Sequence, residues 1–215
     1  MTYTQYSLED VKAMDRIPRG NLINSVTGVK PANLLVTNNQ AGVANCAIFS
    51  SVVHLGSNPP LLSYIQRPLT AEVGHTYRNL QAGSKATLNH VTPSMLPAAH
   101  QTSAKYDEGA NEAQVLGLPT EEITGWSVPV ITEAPVQLLL ELEDEHFITQ
   151  NGCRMVILRI TGVRLENSLV QEDGWVNLAQ AGSMAVNGLD GYLDTSLNAR
   201  YAYARVGVEP QCIDQ

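Results

Sequence analysis

The sequence has little charge and few basic residues. Charged residues occupy 16% of its 215 positions, below the roughly one quarter that is typical of globular proteins. Acidic residues outnumber basic ones by 21 to 13, which gives a net charge of −8 and a pI near 5.0. This balance opposes attraction to nucleic acid and anionic lipid, so we expect neither partner. The low charge favours a subunit interface, although a surface rich in Ser, Thr, Asn and Gln would also explain it.

A disulfide pattern, a secretory signal and a long apolar segment are also missing. Cys46, Cys153 and Cys212 are odd in number and widely spaced, which fits neither a disulfide framework nor a zinc ribbon. Residues 1–10 lack the basic start and apolar core of a signal peptide. No apolar run reaches the length that spans a bilayer. We therefore predict a cytoplasmic protein with reduced thiols and no membrane partner.

The motifs of several enzyme classes are absent as well. Without Gly-x-Gly-x-x-Gly or Gly-x-Ser-x-Gly, neither a dinucleotide-binding fold nor an α/β-hydrolase is supported. The five histidines show no ligand spacing such as His-x-x-x-His, so no metal site is predicted. Asp107, Glu108 and Glu112 are expected on a solvent-exposed helix, and no carboxylates are paired as hydrolysis requires.

Short strands separated by turns make up most of the chain. The segment Gly-Ser-Asn-Pro-Pro at 56–60 forces a turn, because successive prolines remove backbone donors and fix φ. Asn151-Gly152 is a strong hairpin signal between two longer strands. Strands are predicted over residues 33–37, 47–55, 61–65, 85–91, 136–142 and 155–163.

Helical patterns are fewer and shorter. A helix is predicted over residues 75–82, with Gly83 just past its end. Residues 94–118 are mostly helical in composition although Pro97 and Gly109 divide them, and residues 175–184 are predicted as a last short helix. Strands in series without regular β-α-β alternation indicate a mainly antiparallel β structure with attached helices. No break in composition marks a boundary, so we predict one domain over residues 1–215.

A candidate anion site lies in the first half of the chain. The small residues of the segment 42–47 let a ligand approach the backbone, so that main-chain N–H groups can point at an anion. Asn45, Ser50 and Ser51 add polar side chains, and Arg67 adds a planar charged group suited to phosphate. Serine pairs are also common in ordinary strands, where alternate side chains point to opposite faces.

The same stretch carries a family resemblance. The order Asn-x-Ala-x-x-Ser-Ser-Val-Val-x-x-x-x-x-Pro-Pro-Leu-Leu, from Asn45 to Leu62, resembles the flavin reductase-like family of FMN-binding split barrels. Arg67-Pro68, His75-Thr76-x-x-Asn79, Thr87-Leu88-Asn89 and Gly188-x-Asp190-Gly191-Tyr192 are similar to one branch of that family. The resemblance spans about residues 21–205. It implies a six-stranded antiparallel Greek-key split β-barrel, a homodimer, and FMN bound near the subunit interface.

The resemblance also implies which residues hold the cofactor. The strand from Asn45 to Val52 and the helix start would contact the flavin and its phosphate. Thr76 and Asn79 are three residues apart and therefore share one helix face. Cys46 could be a redox thiol beside the flavin, but a small buried filler is the more common role. The implied cofactor-binding residues are Asn45, Cys46, Ala47, Ser50, Ser51, Val52, Arg67, His75, Thr76 and Asn79.

The function that follows is an oxidoreductase in which bound FMN accepts hydride from NADH or NADPH and passes electrons to a flavin or another small-molecule acceptor. The lack of a catalytic triad is compatible with this, because a flavin supplies the chemistry and the protein supplies binding and orientation. Two alternatives stay open. One is an FMN-binding electron-transfer or carrier protein without its own substrate, and the other is an oxidase like the pyridoxamine-phosphate oxidases.

Overall fold

The computed structural model describes residues 1–70 and 74–213. Its helices are α1 (Leu8–Ala13), α2 (Arg16–Val26), α3 (His75–Gly83), α4 (Leu96–Gln101) and α5 (Glu112–Val115), with short 3-10 turns at Pro93–Met95 and Asn167–Leu169. Its strands are β1 (Lys30–Pro31), β2 (Asn33–Asn38), β3 (Ala44–Phe49), β4 (Val53–Ser57), β5 (Pro60–Gln66), β6 (Lys85–His90), β7 (Thr120–Glu121), β8 (Val130–Ile131), β9 (Val136–Ile148), β10 (Cys153–Leu165), β11 (Ala185–Asn187) and β12 (Gly191–Leu193). No helix in the described residues has the length and apolar character needed to cross a membrane.

One large antiparallel sheet organises the chain. Its seven strands lie in the order β3-β2-β6-β9-β10-β5-β4. The 13-residue strands β9 and β10 form a hairpin that joins two halves, because β6 pairs with the first part of β9 and β5 pairs with the first part of β10. A small sheet of β1, β11 and β12 and the pair β7-β8 lie beside it. The mainly antiparallel class is confirmed, but the large sheet has seven strands where six were predicted.

Register shifts bend the hairpin where the two halves meet. The pairing shifts between Ile157 and Leu158 and again between Ile160 and Gly162. Glycine suits the second shift, because a Cβ atom at Gly162 would lie only 3.0 Å from Leu139 Cδ1. Such bulges increase the local twist of a sheet. Among the described residues the outer strands β3 and β4 do not pair with each other, which leaves the sheet open between them.

Apolar side chains cover both faces of the sheet. Alternate residues of β2 separate them, since Leu35 joins one core while Leu34 and Val36 join the other. The first core includes Tyr64, Leu88, Leu140 and Leu158, and α3 packs into it through Leu80. The second core lies under α4 and α5 and includes Cys46, Ala99, Ala113 and Ile131. Each fully buried leucine contributes about 1.5–3 kcal/mol, so both faces hold the strands in register.

Most strand predictions are confirmed, but one long strand is wrong. The predicted helix 75–82 is α3, and the Asn151-Gly152 turn closes the β9–β10 hairpin. The predicted strand 47–55 is instead two strands, β3 and β4, separated by residues 50–52. The hydroxyl of Ser51 bonds the main chain of Ile65 at this break, so the chain leaves the ladder there.

Helix predictions in the later chain are less accurate. Residues 94–118 form only the short helices α4 and α5 after a 3-10 turn, because Pro97 starts a helix and Gly109 adopts a positive φ between them. The predicted helix 175–184 is absent. A single turn is closed there by Ala181 N–H donating to the Asn177 carbonyl, and the chain then turns at Gly182, where φ is 65°.

Candidate functional site

A cleft of about 430 Å³ lies beside the free edge of β3. The end of β5, the start of α3 and residues 102–106 form its other walls. This volume is within the range of small-molecule sites. Several side chains that were predicted for the cofactor site line it together: Asn45, Ala47, Ser50, Ser51, Arg67, His75 and Thr76.

The free edge of β3 offers main-chain donors, because β3 is the last strand of the sheet. Two of its outward amides are bonded to side chains. Cys46 N donates to Glu112 Oε2 at 2.8 Å, and Ile48 N donates to Thr102 Oγ1 at 2.9 Å. Strand alternation places the Ser50 amide next along the same edge. No described residue accepts a hydrogen bond from that amide, so it is available to a ligand in the cleft.

The two adjacent serines have different roles in the structure. Ser51 Oγ accepts a hydrogen bond from Ile65 N at 3.1 Å and donates to Ile65 O at 3.3 Å. These bonds fix the end of β3 against β5. The Ser50 hydroxyl has no such partner among the described residues. Ser50 is therefore the serine whose side chain is available in the cleft, while Ser51 shapes the loop.

The start of α3 forms the wall opposite the β3 edge. Gly74 precedes the helix with φ at 104°, a conformation that favours glycine, and a Cβ atom there would meet the Leu69 side chain. Thr76 Oγ1 accepts a hydrogen bond from Asn45 Nδ2 at 3.0 Å, which ties the helix to β3. The helix start brings its partial positive charge and unpaired first-turn amides toward the cleft.

Three predicted site residues, Cys46, Val52 and Asn79, do not line the cleft. The Cys46 thiol is fully buried in the second core, and this burial raises the pKa of the thiol. Val52 packs against the first core. Asn79 is buried and donates to Thr37 Oγ1 at 3.1 Å, next to a small cavity that it shares with Asn45 and His75. Thr76 and Asn79 share one face of α3 as predicted, and that face contacts β2 and β3.

The cleft is rich in positive charge although the protein is acidic. Lys30, Arg67 and Lys105 line it together with His75. Lys30 Nζ donates to the carbonyls of Asn24 and Gly28 at 2.8 and 3.2 Å, which hold its ammonium group in place. Arg67 is exposed, and no described acidic side chain pairs with its guanidinium group. Such a concentration of cations attracts an anionic ligand.

Glu112 is the one acidic side chain that lines the described part of the cleft. The prediction of a solvent-exposed position is wrong, because Glu112 is only 4% exposed. Burial raises the pKa of its carboxyl group, while the hydrogen bond from Cys46 N–H and an electrostatic interaction with His75 oppose that rise. α5 places it there: Asn111 caps the helix by accepting from Gln114 N, and Ala113 is buried in the second core.

Several cleft residues were not predicted from the sequence. They are Asn24, Lys30, Lys105, Tyr106, Glu112 and the pair Gly188 and Leu189. These residues come from α2, β1, the loop before α5, α5 itself and the β11–β12 turn, which are distant from the motif in sequence. The sequence around the two lysines does not indicate a binding site, because isolated lysines are common on any protein surface.

Comparison with protein families gives one match over most of the chain. The model of the flavin reductase like domain matches residues 27–187. A search of curated protein sequences gives no significant match. The matched range contains β1 to β11, and thus the whole seven-stranded sheet and most of the cleft.

Solved structures share the fold over nearly the full length. A chain from Shewanella frigidimarina NCIMB 400, assigned as a flavin reductase with a split barrel domain, is 36% identical, with a TM-score of 0.89 over 94% of this chain and 100% of its own. Nitrilotriacetate monooxygenase component B from Bacillus cereus is 19% identical, with a TM-score of 0.81 over 93% and 100% of the two chains. The 2-nitrobenzoate 2-nitroreductase NbaA of Pseudomonas fluorescens is 20% identical, with a TM-score of 0.78 over 96% and 98%. The last two similarities show the shared fold alone.

Proposed function

Because the chain belongs to the flavin reductase-like domain family and has its split-barrel fold, we propose that it binds FMN in the cationic cleft and acts as a flavin reductase. Reduced nicotinamide, NADH or NADPH, would be the electron donor. A free flavin or another small molecule would be the acceptor.

The observation that carries this proposal is the donor set of the cleft. An acidic protein concentrates Lys30, Arg67 and Lys105 around one cavity. Ser50 and Arg67 line the same cleft, where a phosphate dianion would receive hydrogen bonds from the Ser50 amide and hydroxyl and a charge-assisted contact from Arg67. A main-chain amide at the end of a strand suits such an anion.

The remaining residues would place the ring system. FMN, when bound, supplies the site that accepts and releases hydride. Asn45 and Ala47 would form the floor beneath the ring, because both line the cleft from the same face of β3. The Asn45–Thr76 bond holds that floor against α3 at 3.0 Å. The chain's contribution is therefore binding, orientation and exclusion of water.

The direct test is the visible spectrum of the purified protein. A yellow protein that releases FMN rather than FAD on denaturation supports the proposal, and stopped-flow bleaching by NADH or NADPH supports the reductase activity. Colourless protein that fails to bind added FMN at micromolar concentration would overturn it. Bound FMN that neither nicotinamide bleaches would favour the carrier alternative.

We also propose that the protein is a homodimer in the cytoplasm. No residue of α1 or α2 is buried, although α2 presents apolar side chains such as Ile17 and Val26, which are 74% and 67% exposed. Isolated helices this short are marginal in water, so a second copy that covers them would stabilise them. Cys46 and Cys153 form no disulfide, which is consistent with a reducing compartment. Light scattering should give twice the chain mass of 23.3 kDa, and a monomer with FMN bound would contradict the dimer.

A further inference from the structure

The buried carboxylate of Glu112 is not accounted for by phosphate binding. The other charged side chains that line the described cleft are cationic. A carboxylate in the wall of such a site weakens its attraction for an anion, and its own desolvation also costs free energy. A glutamate held at 4% exposure beside this cleft therefore calls for a separate role.

The hydrogen bond that Glu112 accepts from the main chain of β3 does not require a negative charge at position 112. Glu112 Oε2 accepts from Cys46 N at 2.8 Å, and two residues further along the same edge Thr102 Oγ1 accepts from Ile48 N at 2.9 Å. The neutral hydroxyl of Thr102 accepts a main-chain hydrogen bond of nearly the same length. A neutral acceptor at position 112 would thus be enough to cap Cys46.

The position of Glu112 separates it from the phosphate end of the cleft. Cys46 and Ser50 are four residues apart, which is about 13 Å along an extended strand. Ser50 and Arg67 mark the end where the phosphate is proposed to bind. If the phosphate of FMN is held at Ser50, the Glu112 carboxylate, which is bonded to Cys46 N, would lie nearer to the flavin ring system than to the phosphate.

We propose that the Glu112 carboxylate lowers the reduction potential of bound FMN by opposing the negative charge that reduction adds. This inference rests on the proposed function. Hydride transfer moves two electrons and one proton from the reduced nicotinamide to oxidised FMN, and it leaves oxidised nicotinamide and a flavin with one more negative charge. Glu112 gains and loses no atoms in this step. Its buried charge acts in surroundings of low dielectric, where it is weakly screened.

As a consequence, the ratio of the affinity for oxidised FMN to the affinity for reduced FMN is higher than it would be without the Glu112 charge. Such a bias favours the release of electrons to the acceptor after the nicotinamide has reacted. Arg67 would contact the phosphate in both redox states, so it does not cancel the effect of a charge at the other end of the ligand.

The test compares the reduction potential of bound FMN in the natural protein and in Glu112→Gln, by equilibration with a redox dye at pH 8, where histidine is generally neutral. The glutamine side chain keeps an acceptor for Cys46 N–H and removes the charge. We expect a more positive potential, equivalent to reduced FMN gaining about fivefold or more in affinity relative to oxidised FMN. Glu112→Leu provides a second neutral variant if the glutamine variant does not fold.

A control distinguishes the Glu112 charge from carboxylate charge elsewhere. Glu133→Gln removes an exposed carboxylate that does not line the cleft, and it should not move the potential. An unchanged or more negative potential in both Glu112 variants would overturn the inference while leaving FMN binding intact. Failure of the natural protein to bind FMN would instead overturn the proposed function itself.

Discussion

Arg67 supplies the guanidinium group of the cleft; the residue is exposed, and no described acid pairs with it. If it holds the phosphate, Arg67→Ala should weaken FMN binding about ten- to a hundredfold, since a charge-assisted contact is worth roughly 1.5–3 kcal/mol. Riboflavin, which has no phosphate, should lose little affinity. Fluorescence titration with both flavins measures this. Arg205→Ala, an exposed arginine outside the cleft, is the matched control, and equal losses for both flavins would show that Arg67 is structural.

The adjacent serines allow binding and stability to be separated. Ser51→Ala removes both hydrogen bonds to Ile65 and should lower the free energy of unfolding by about 1–2 kcal/mol. Ser50→Ala removes a hydroxyl without a described partner, so it should weaken FMN binding and leave stability nearly unchanged. Urea unfolding of both variants, together with FMN titration, checks the pair. A larger loss of stability in the Ser50 variant would reverse these assignments.

At the scale of elements, the position of α3 depends on Gly74. Gly74→Ala places a Cβ atom against Leu69 at a residue with φ of 104°, and the helix start must shift. We expect a loss of roughly 1–3 kcal/mol in stability, with weaker FMN binding because Thr76 moves away from Asn45. Gly20→Ala in α2 is the control, since nothing lies within 4 Å of its added Cβ and alanine favours a helix. Thermal unfolding that shows equal changes in both variants would contradict this role of Gly74.

The sequence correctly predicted those elements whose conformation depends mainly on residues that are close together in the chain. The helix α3 and the Asn151-Gly152 hairpin depend on nearby residues, and both form as predicted. The break between β3 and β4 depends on Ser51 meeting Ile65, 14 residues later, and no periodicity could reveal it. The two 13-residue strands are longer than predicted because pairing extends each beyond its own apolar pattern into polar, exposed positions.

In the candidate site, too, the residues of the continuous motif could be predicted from the sequence, whereas positions that depend on packing between distant segments could not. The motif from Asn45 to Ser51 and the helix start at His75 were predicted from sequence, and the structure brings them to one cleft. The predicted solvent-exposed position of Glu112 is wrong because the burial of α5 comes from packing Ala113 against the second core, a contact with residues distant in sequence. Cys46 was included as a neighbour in the motif, yet strand alternation turns its thiol to the opposite face.

For the whole molecule, His90 is one residue that makes the free energy of unfolding depend on pH. His90 ends β6 beside a second, mainly apolar cavity of about 300 Å³, and its Nδ1 lies 3.0 Å from Ser183 Oγ. Burial lowers the pKa of His90 from 6.5 to about 4. Between these values the unfolded chain binds a proton that the folded chain does not. Stability should therefore fall as pH decreases from about 6.5 to 4, and level off below that for this residue.

This dependence gives a prediction that involves unfolding of the entire chain. A pKa difference of this size corresponds to a loss of up to about 3 kcal/mol across the window. His90→Asn cannot take up the proton, so its free energy of unfolding should decline less between pH 6.5 and 4 than that of the natural protein, even if the variant is less stable at pH 7. Urea unfolding at several pH values measures the two slopes. His54→Gln, at an exposed histidine, should retain the natural slope, and parallel curves for His90→Asn and the natural protein would show that His90 does not control acid stability.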